Sequence, residues 1–106
     1  MNTTPALSGI SLIGAPTDVG AGSIGARMGP GALRVAGLAQ AIRRFGLSVK
    51  DCGDLQGPDN PEQAAHQGYR HLAEVVAWNQ KVHDAVLHEL QAERLPILLG
   101  GDHCLG

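Results

Sequence analysis

Two short apolar runs and an alternating segment between them, separated by stretches long enough to be helices, constrain this chain more than any other feature. They are Gly9-Ile10-Ser11-Leu12-Ile13-Gly14-Ala15, Leu47-Ser48-Val49-Lys50-Asp51-Cys52 and Leu95-Pro96-Ile97-Leu98-Leu99. Strand, helix, strand, helix, strand implies right-handed crossovers and a parallel sheet. The core must be built from Leu, Val, Ile and Ala, because fifteen glycines stand against one Trp, one Tyr and one Phe. Parallel α/β sheets, buried on both faces, use such residues. The expected fold class is therefore α/β, a parallel sheet with flanking helices, of about three strands and two helices. Residues 1–106 form one unit, without internal repeat, low-complexity tract or linker.

The connections carry their own signals. A glycine-rich loop spans residues 16–29, and Pro30 suits the first turn of a helix, where its missing N–H costs nothing. Leu33, Ala36 or Gly37, Ala41 and Phe45 suggest one helical stripe, closed by Gly46. Gly57-Pro58-Asp59-Asn60-Pro61 breaks any helix. Leu72, Val75, Val76, Asn79, Val82, Val86, Leu87 and Leu90 then recur at three- and four-residue steps. They predict one long amphipathic helix, starting near Glu62 and ending before Pro96. Two crossovers of this kind can leave one sheet face bare, and the strand edges stay open to other chains. The expectation is a truncated piece of a larger sheet.

Several function classes are excluded at once. A net charge of -2 offers no basic footprint for nucleic acid or anionic membrane. Met1-Asn2-Thr3-Thr4-Pro5 lacks the features of a secretory signal, and no apolar run approaches a membrane span. Cys52 and Cys104 do not make a disulfide framework, so both read as buried thiols in a cytoplasmic protein.

Gly20-Ala21-Gly22-Ser23-Ile24-Gly25 matches the dinucleotide fingerprint, with Asp51 as the ribose acid. The spacing argues against it. Gly20 lies five residues past Ala15, and the helix is signalled only at Pro30. His66, His71, His83 and His88 are paired at steps of five, not the four that aligns two ligands on a helix. They read as solvated or boundary residues. Cys104 and His103 are adjacent, so they cannot act as a nucleophile and its base.

Gly100-Gly101-Asp102-His103 is the exception. It follows the third strand, and the carboxyl edge of an open α/β sheet is where ligands bind. Glycines let the backbone leave the strand freely. His103 is then a candidate metal ligand, with Asp102 beside it to orient it or a partner. One histidine alone cannot hold a metal.

This terminal motif, followed by a small residue and Leu105, resembles the first signature of the arginase and agmatinase family, the ureohydrolases. Ile13-Gly14-Ala15-Pro16 resembles that family's opening strand. Met28-Gly29-Pro30 with Leu33-Arg34 resembles its first helix start, and Asp51, Gly53, Asp54 and Leu55 the end of its second strand. Ile-Gly-Ala-Pro and Arg34 to Leu38 lie closer to the arginase branch than to the agmatinases.

The resemblance implies a three-layer sandwich of the arginase and deacetylase type, with two Mn2+ ions at the carboxyl ends of the strands. It implies hydrolysis of L-arginine to L-ornithine and urea by a metal-bridging hydroxide, with His103 as a ligand of one manganese and Asp102 behind it. It also implies a homo-oligomer, a trimer or hexamer. Cys104 stands where serine is more usual. The later Asp-x-His-x-Asp and Asp-x-Asp motifs are absent from these residues, so the 106-residue chain is expected to be inactive by itself. The alternatives are an agmatinase or other guanidine hydrolase and, from another class, a non-catalytic remnant or interaction module.

Overall fold

A computed structural model gives the structure of the protein and describes residues 8–18, 26–61 and 71–101. Three strands form one parallel sheet: β1 (Ile10–Ala15), β2 (Val49–Asp54) and β3 (Leu95–Gly100). Their order is β2-β1-β3. The central strand β1 is buried along its whole length, as its nearly unbroken apolar sequence requires. Ile10 lies opposite Val49 and Leu95, and Leu12 opposite Asp51 and Ile97. A bulge between Leu12 and Gly14 brings Gly14 opposite Asp54.

This strand order covers both faces of the sheet. The first crossover runs from β1 outward to β2, and the second returns past β1 to β3. Two right-handed crossovers in opposite directions lie on opposite faces. Accordingly, Leu38, Ala39 and Ile42 pack with Ile10, Leu12 and Leu99 on one side. Val75, Trp78 and Val82 pack with Ala15 and Leu98 on the other. The expected bare face is therefore not found.

The first crossover holds two helices rather than one. A 3-10 turn at Ala26–Met28 leads into α1 (Gly29–Val35), and α2 (Leu38–Arg43) follows. Gly37 separates them at φ 90, a left-handed conformation that glycine adopts without strain. The break resets the helical phase, so the single stripe through Leu33, Ala41 and Phe45 does not exist. Phe45 is 84% exposed, and Pro30, Leu38, Ala39 and Ile42 face the interior instead. Helix α2 ends at Arg43 with Arg44 as its C-cap, so Gly46, at φ 81, lies one residue past the expected closing position and completes the turn that follows. The second strand begins at Val49, two residues later than its apolar pattern suggests.

The long helix α3 spans Leu72–Gln91, and its predicted start near Glu62 lies outside the described residues. Its anchor is Trp78, which is 3% exposed and donates from Nε1 to the Pro58 carbonyl at 2.7 Å. Gly57 lies flat against the indole, where a Cβ would come within 2.6 Å of the ring. The predicted stripe is broader than the sheet can cover: Val75 and Val82 pack inward, whereas Leu72, Val76, Leu87 and Leu90 are exposed.

Candidate metal centre at the carboxyl edge of the sheet

The three strand ends meet where the site is expected. Backbone crowding shapes this edge. At Gly101, φ is 28, and a Cβ would lie 2.6 Å from the Ala15 carbonyl oxygen and 2.7 Å from that of Thr17. A Cβ on Gly29, at the start of α1, would lie 2.5 Å from the Gly100 carbonyl oxygen. Both glycines are therefore required for β3 to leave the sheet between β1 and α1. Thr17 and Asp18, just past β1, are each 2% exposed. Asn60 donates to the Asp18 carbonyl at 2.8 Å, and Arg27 reaches the Asp18 carboxylate at 3.7 Å. Trp78 holds Pro58 and Asn60 holds Asp18, so the 57–61 turn ties α3 to the edge of the site.

Arg34 of α1 forks between the acids of β2. Its Nε and one terminal nitrogen donate to Asp51 at 2.9 and 3.1 Å, and its other terminal nitrogen donates to Asp54. The bonds to Asp54 and Asp51 raise the Arg34 pKa. Asp51 is held below the usual carboxylate range by Arg34 first and by the Gly53 N–H second. Its lone pairs are thus committed to locking α1 onto β2.

Among the described residues, no group of three or more His, Cys, Asp or Glu is arranged to hold a metal ion. The donors described do not fit a two-metal cluster, and no catalytic step through a metal can be derived from them. Asp102, His103 and Cys104 lie outside the described residues, as do His66 and the glycines Gly20, Gly22 and Gly25. Helix α1 starts at Gly29, four residues beyond Gly25, and this is not the placement a dinucleotide turn requires. His83 and His88 are exposed and touch their neighbours Asp84 and Glu89, at 3.2 and 2.9 Å. His71, expected at a boundary, is buried at the start of α3 with φ 52.

Cys52 corrects another expectation. It is exposed rather than core, because it sits on β2, an edge strand with no described neighbour on its outer side. Partial burial and then the Glu89 carboxylate raise its thiol pKa.

A polar cluster at the opposite, amino end of the sheet is absent from the sequence reading. Ser11, fully buried, donates to Glu89 Oε1 at 2.6 Å and accepts from Arg94 Nε at 2.7 Å. Lys50 and His88 also reach the Glu89 carboxylate, at 3.3 and 2.9 Å. Bonds from Ser11 first, then His88, lower the Glu89 pKa to about 2. A single serine in an apolar run is the one signal that could have revealed it.

A parallel α/β sheet covered on both faces, with glycines crowded at the carboxyl edge of its third strand, defines the class of protein. Comparison with known proteins gives the family. The chain matches the Arginase family over residues 8–106, and it belongs to that family. It is 34% identical over 96 residues to the arginase of Brevibacillus brevis, covering 91% of this chain and 32% of that one. With the arginase of Brucella melitensis it shares 39% over 95 residues, covering 89% and 31%. The arginase structure from Bacillus caldovelox superimposes with a TM-score of 0.82 at 36% identity, over 93% of this chain and 34% of that one. Entamoeba histolytica arginase, solved in complex with L-ornithine, superimposes at 0.79 with 25% identity, over 96% and 34%. The chain thus spans about a third of the length of the relatives it matches.

Proposed function

We propose that this chain supplies the first third of an arginase-type domain, which hydrolyses L-arginine to L-ornithine and urea and uses Mn2+. His103 is its contribution to the metal site, with Asp102 orienting it. The observation that carries the reading is the family match over residues 8–106 together with the packing at Gly29, Gly100 and Gly101. That packing leaves room only for glycine where β3 passes into the Asp-His pair. The L-ornithine bound by the Entamoeba histolytica relative supports arginine as the substrate class.

The chain by itself does not complete the catalyst. A binuclear metal centre needs several carboxylate and imidazole ligands, and the described residues bring no such group together. Purified chain, assayed for urea release from L-arginine and from agmatine with added Mn2+, should give no turnover above the metal blank. Multiple turnovers with either substrate would overturn the reading. No described helix is long and apolar enough to cross a membrane.

A further inference from the structure

The register of β3 on β1 decides where the Asp-His pair is delivered, yet the apolar pattern of the two strands specifies it poorly. Register is strongly set where a polar face would otherwise be buried. Here Ile97, Leu98 and Leu99 face Leu12, Ile13 and Gly14, and a shift by two residues exchanges one apolar neighbour for another on the same face. Pro96 resists a shift by one, because Leu95 donates from its N–H to the Gly9 carbonyl and the alternation turns Pro96 away from β1. It does not resist a shift by two. Such a shift moves the end of β3 by about 6.6 Å, at about 3.3 Å per residue of parallel strand.

We propose that the cluster of buried Ser11 and Glu89 with half-buried Arg94 is the register pin of β3 and that Glu89 is thereby a positioning residue for the distant metal edge. This rests on the arginase-type reading only for what β3 delivers. Arg94, the residue before β3, donates from one terminal nitrogen to the Ile10 carbonyl and from Nε to Ser11 Oγ, both at 2.7 Å. Ser11 passes its own proton donor to Glu89, and the Arg94 N–H donates back to the Glu89 carbonyl at 3.0 Å. Ser11 lies opposite both Lys50 and Pro96, so the cluster marks one level across all three strands. Lys50 completes it from β2. A two-residue shift would carry Arg94 away from Ile10 and leave Glu89 and Ser11 buried with fewer partners. At the other end the crowding around Gly101 disfavours any shift that brings a side chain there, but it supplies no attraction, so the cluster is what holds the register from the amino end.

Buried polar networks can often be replaced by apolar residues with little loss of stability, and in some proteins such a network is what selects one arrangement. The test uses that difference. In isotope-labelled chain, cross-strand nuclear Overhauser contacts should pair Ile10 with Leu95 and Leu12 with Ile97 in a single set of resonances. In the Ser11→Ala/Glu89→Leu double variant, thermal stability should be retained while a second set of resonances pairs Ile10 with Ile97. The single variant Glu89→Gln, which keeps an acceptor for Ser11 but loses the charge facing Lys50 and His88, should show the same second set at lower population. A folded double variant with one register and wild-type contacts would overturn the proposal. If the double variant does not fold, Glu89→Gln carries the test: a lowered Tm with one unchanged register rejects the pin. None of these readouts depends on metal or urea, so failure of the pin and failure of the functional reading are separable.

Discussion

Gly57 and Trp78 should be coupled, and the coupling can be worked out from the structure. The indole is 3% exposed, and replacing a buried Trp by Ala costs about 3–5 kcal/mol. A Cβ added at Gly57 would meet Cε2, Cδ2 and Cζ2 of the indole at 2.6, 2.8 and 2.9 Å. That overpacking should cost about 1–3 kcal/mol in Gly57→Ala. At about 4–8 °C per kcal/mol for a domain of this size, Gly57→Ala alone should lower Tm measurably. The double variant Gly57→Ala/Trp78→Ala has no ring to clash with. Its loss should equal that of Trp78→Ala alone, or fall below it as the methyl fills part of the cavity. Urea titrations of the four proteins give the cycle, read from midpoints at constant slope. Losses that add within about 0.5 kcal/mol would refute the argument, because independent sites behave that way. The same ring holds Pro58, and Asn60 holds Asp18, so Trp78→Ala should also raise hydrogen exchange around Thr17 and Asp18.

Other predictions concern the amino end of the sheet and the edge of the site. Glu89 titrates at about 2 in the folded chain against an ordinary value of 4.5, so the folded state favours its charged form. Its stabilisation is fully present above pH 4.5 and is lost as pH falls toward 2; Glu89→Gln should flatten that part of a pH–stability profile, and an unchanged profile would count against it. Gly101→Ala should destabilise the chain by about 1–3 kcal/mol through left-handed backbone strain and its clash with Ala15 and Thr17, whereas Gly46→Ala, with open space around it, should cost less. Equal losses in thermal unfolding would show that crowding at the edge is not what selects Gly101.

The parallel sheet was legible because two of its strands are short apolar runs, the third alternates, and the segments between them are too long for hairpins. Gly37 was not. A glycine beside Ala36 in a run of small residues looks like a packing surface, and only its φ of 90 shows a break. Trp78 is not legible because the three- and four-residue steps can be drawn through Asn79 as well as through Trp78, and its partner Pro58 is twenty residues away. Glu89 was missed for the same reason on a longer scale. A glutamate late in an amphipathic helix reads as solvated until Ser11, seventy-eight residues earlier, is placed beneath it. Cys52 reads as core from sequence because alternation along a strand does not reveal that the strand is an edge. At the site, the glycines before Asp102 and His103 were legible as a motif. The Arg34 fork to Asp51 and Asp54 was not, because helix and strand meet there only in three dimensions.

On the proposed reading this chain carries one ligand of an arginase-type metal site, His103, and not the whole of it. Manganese binding tests that most directly, by electron paramagnetic resonance titration of free Mn2+ against the wild-type chain and His103→Asn. The account predicts at most one weakly held ion per chain, lost in His103→Asn, and no spin-coupled pair. Two tightly bound, coupled ions per chain, or binding indifferent to His103→Asn, would contradict it.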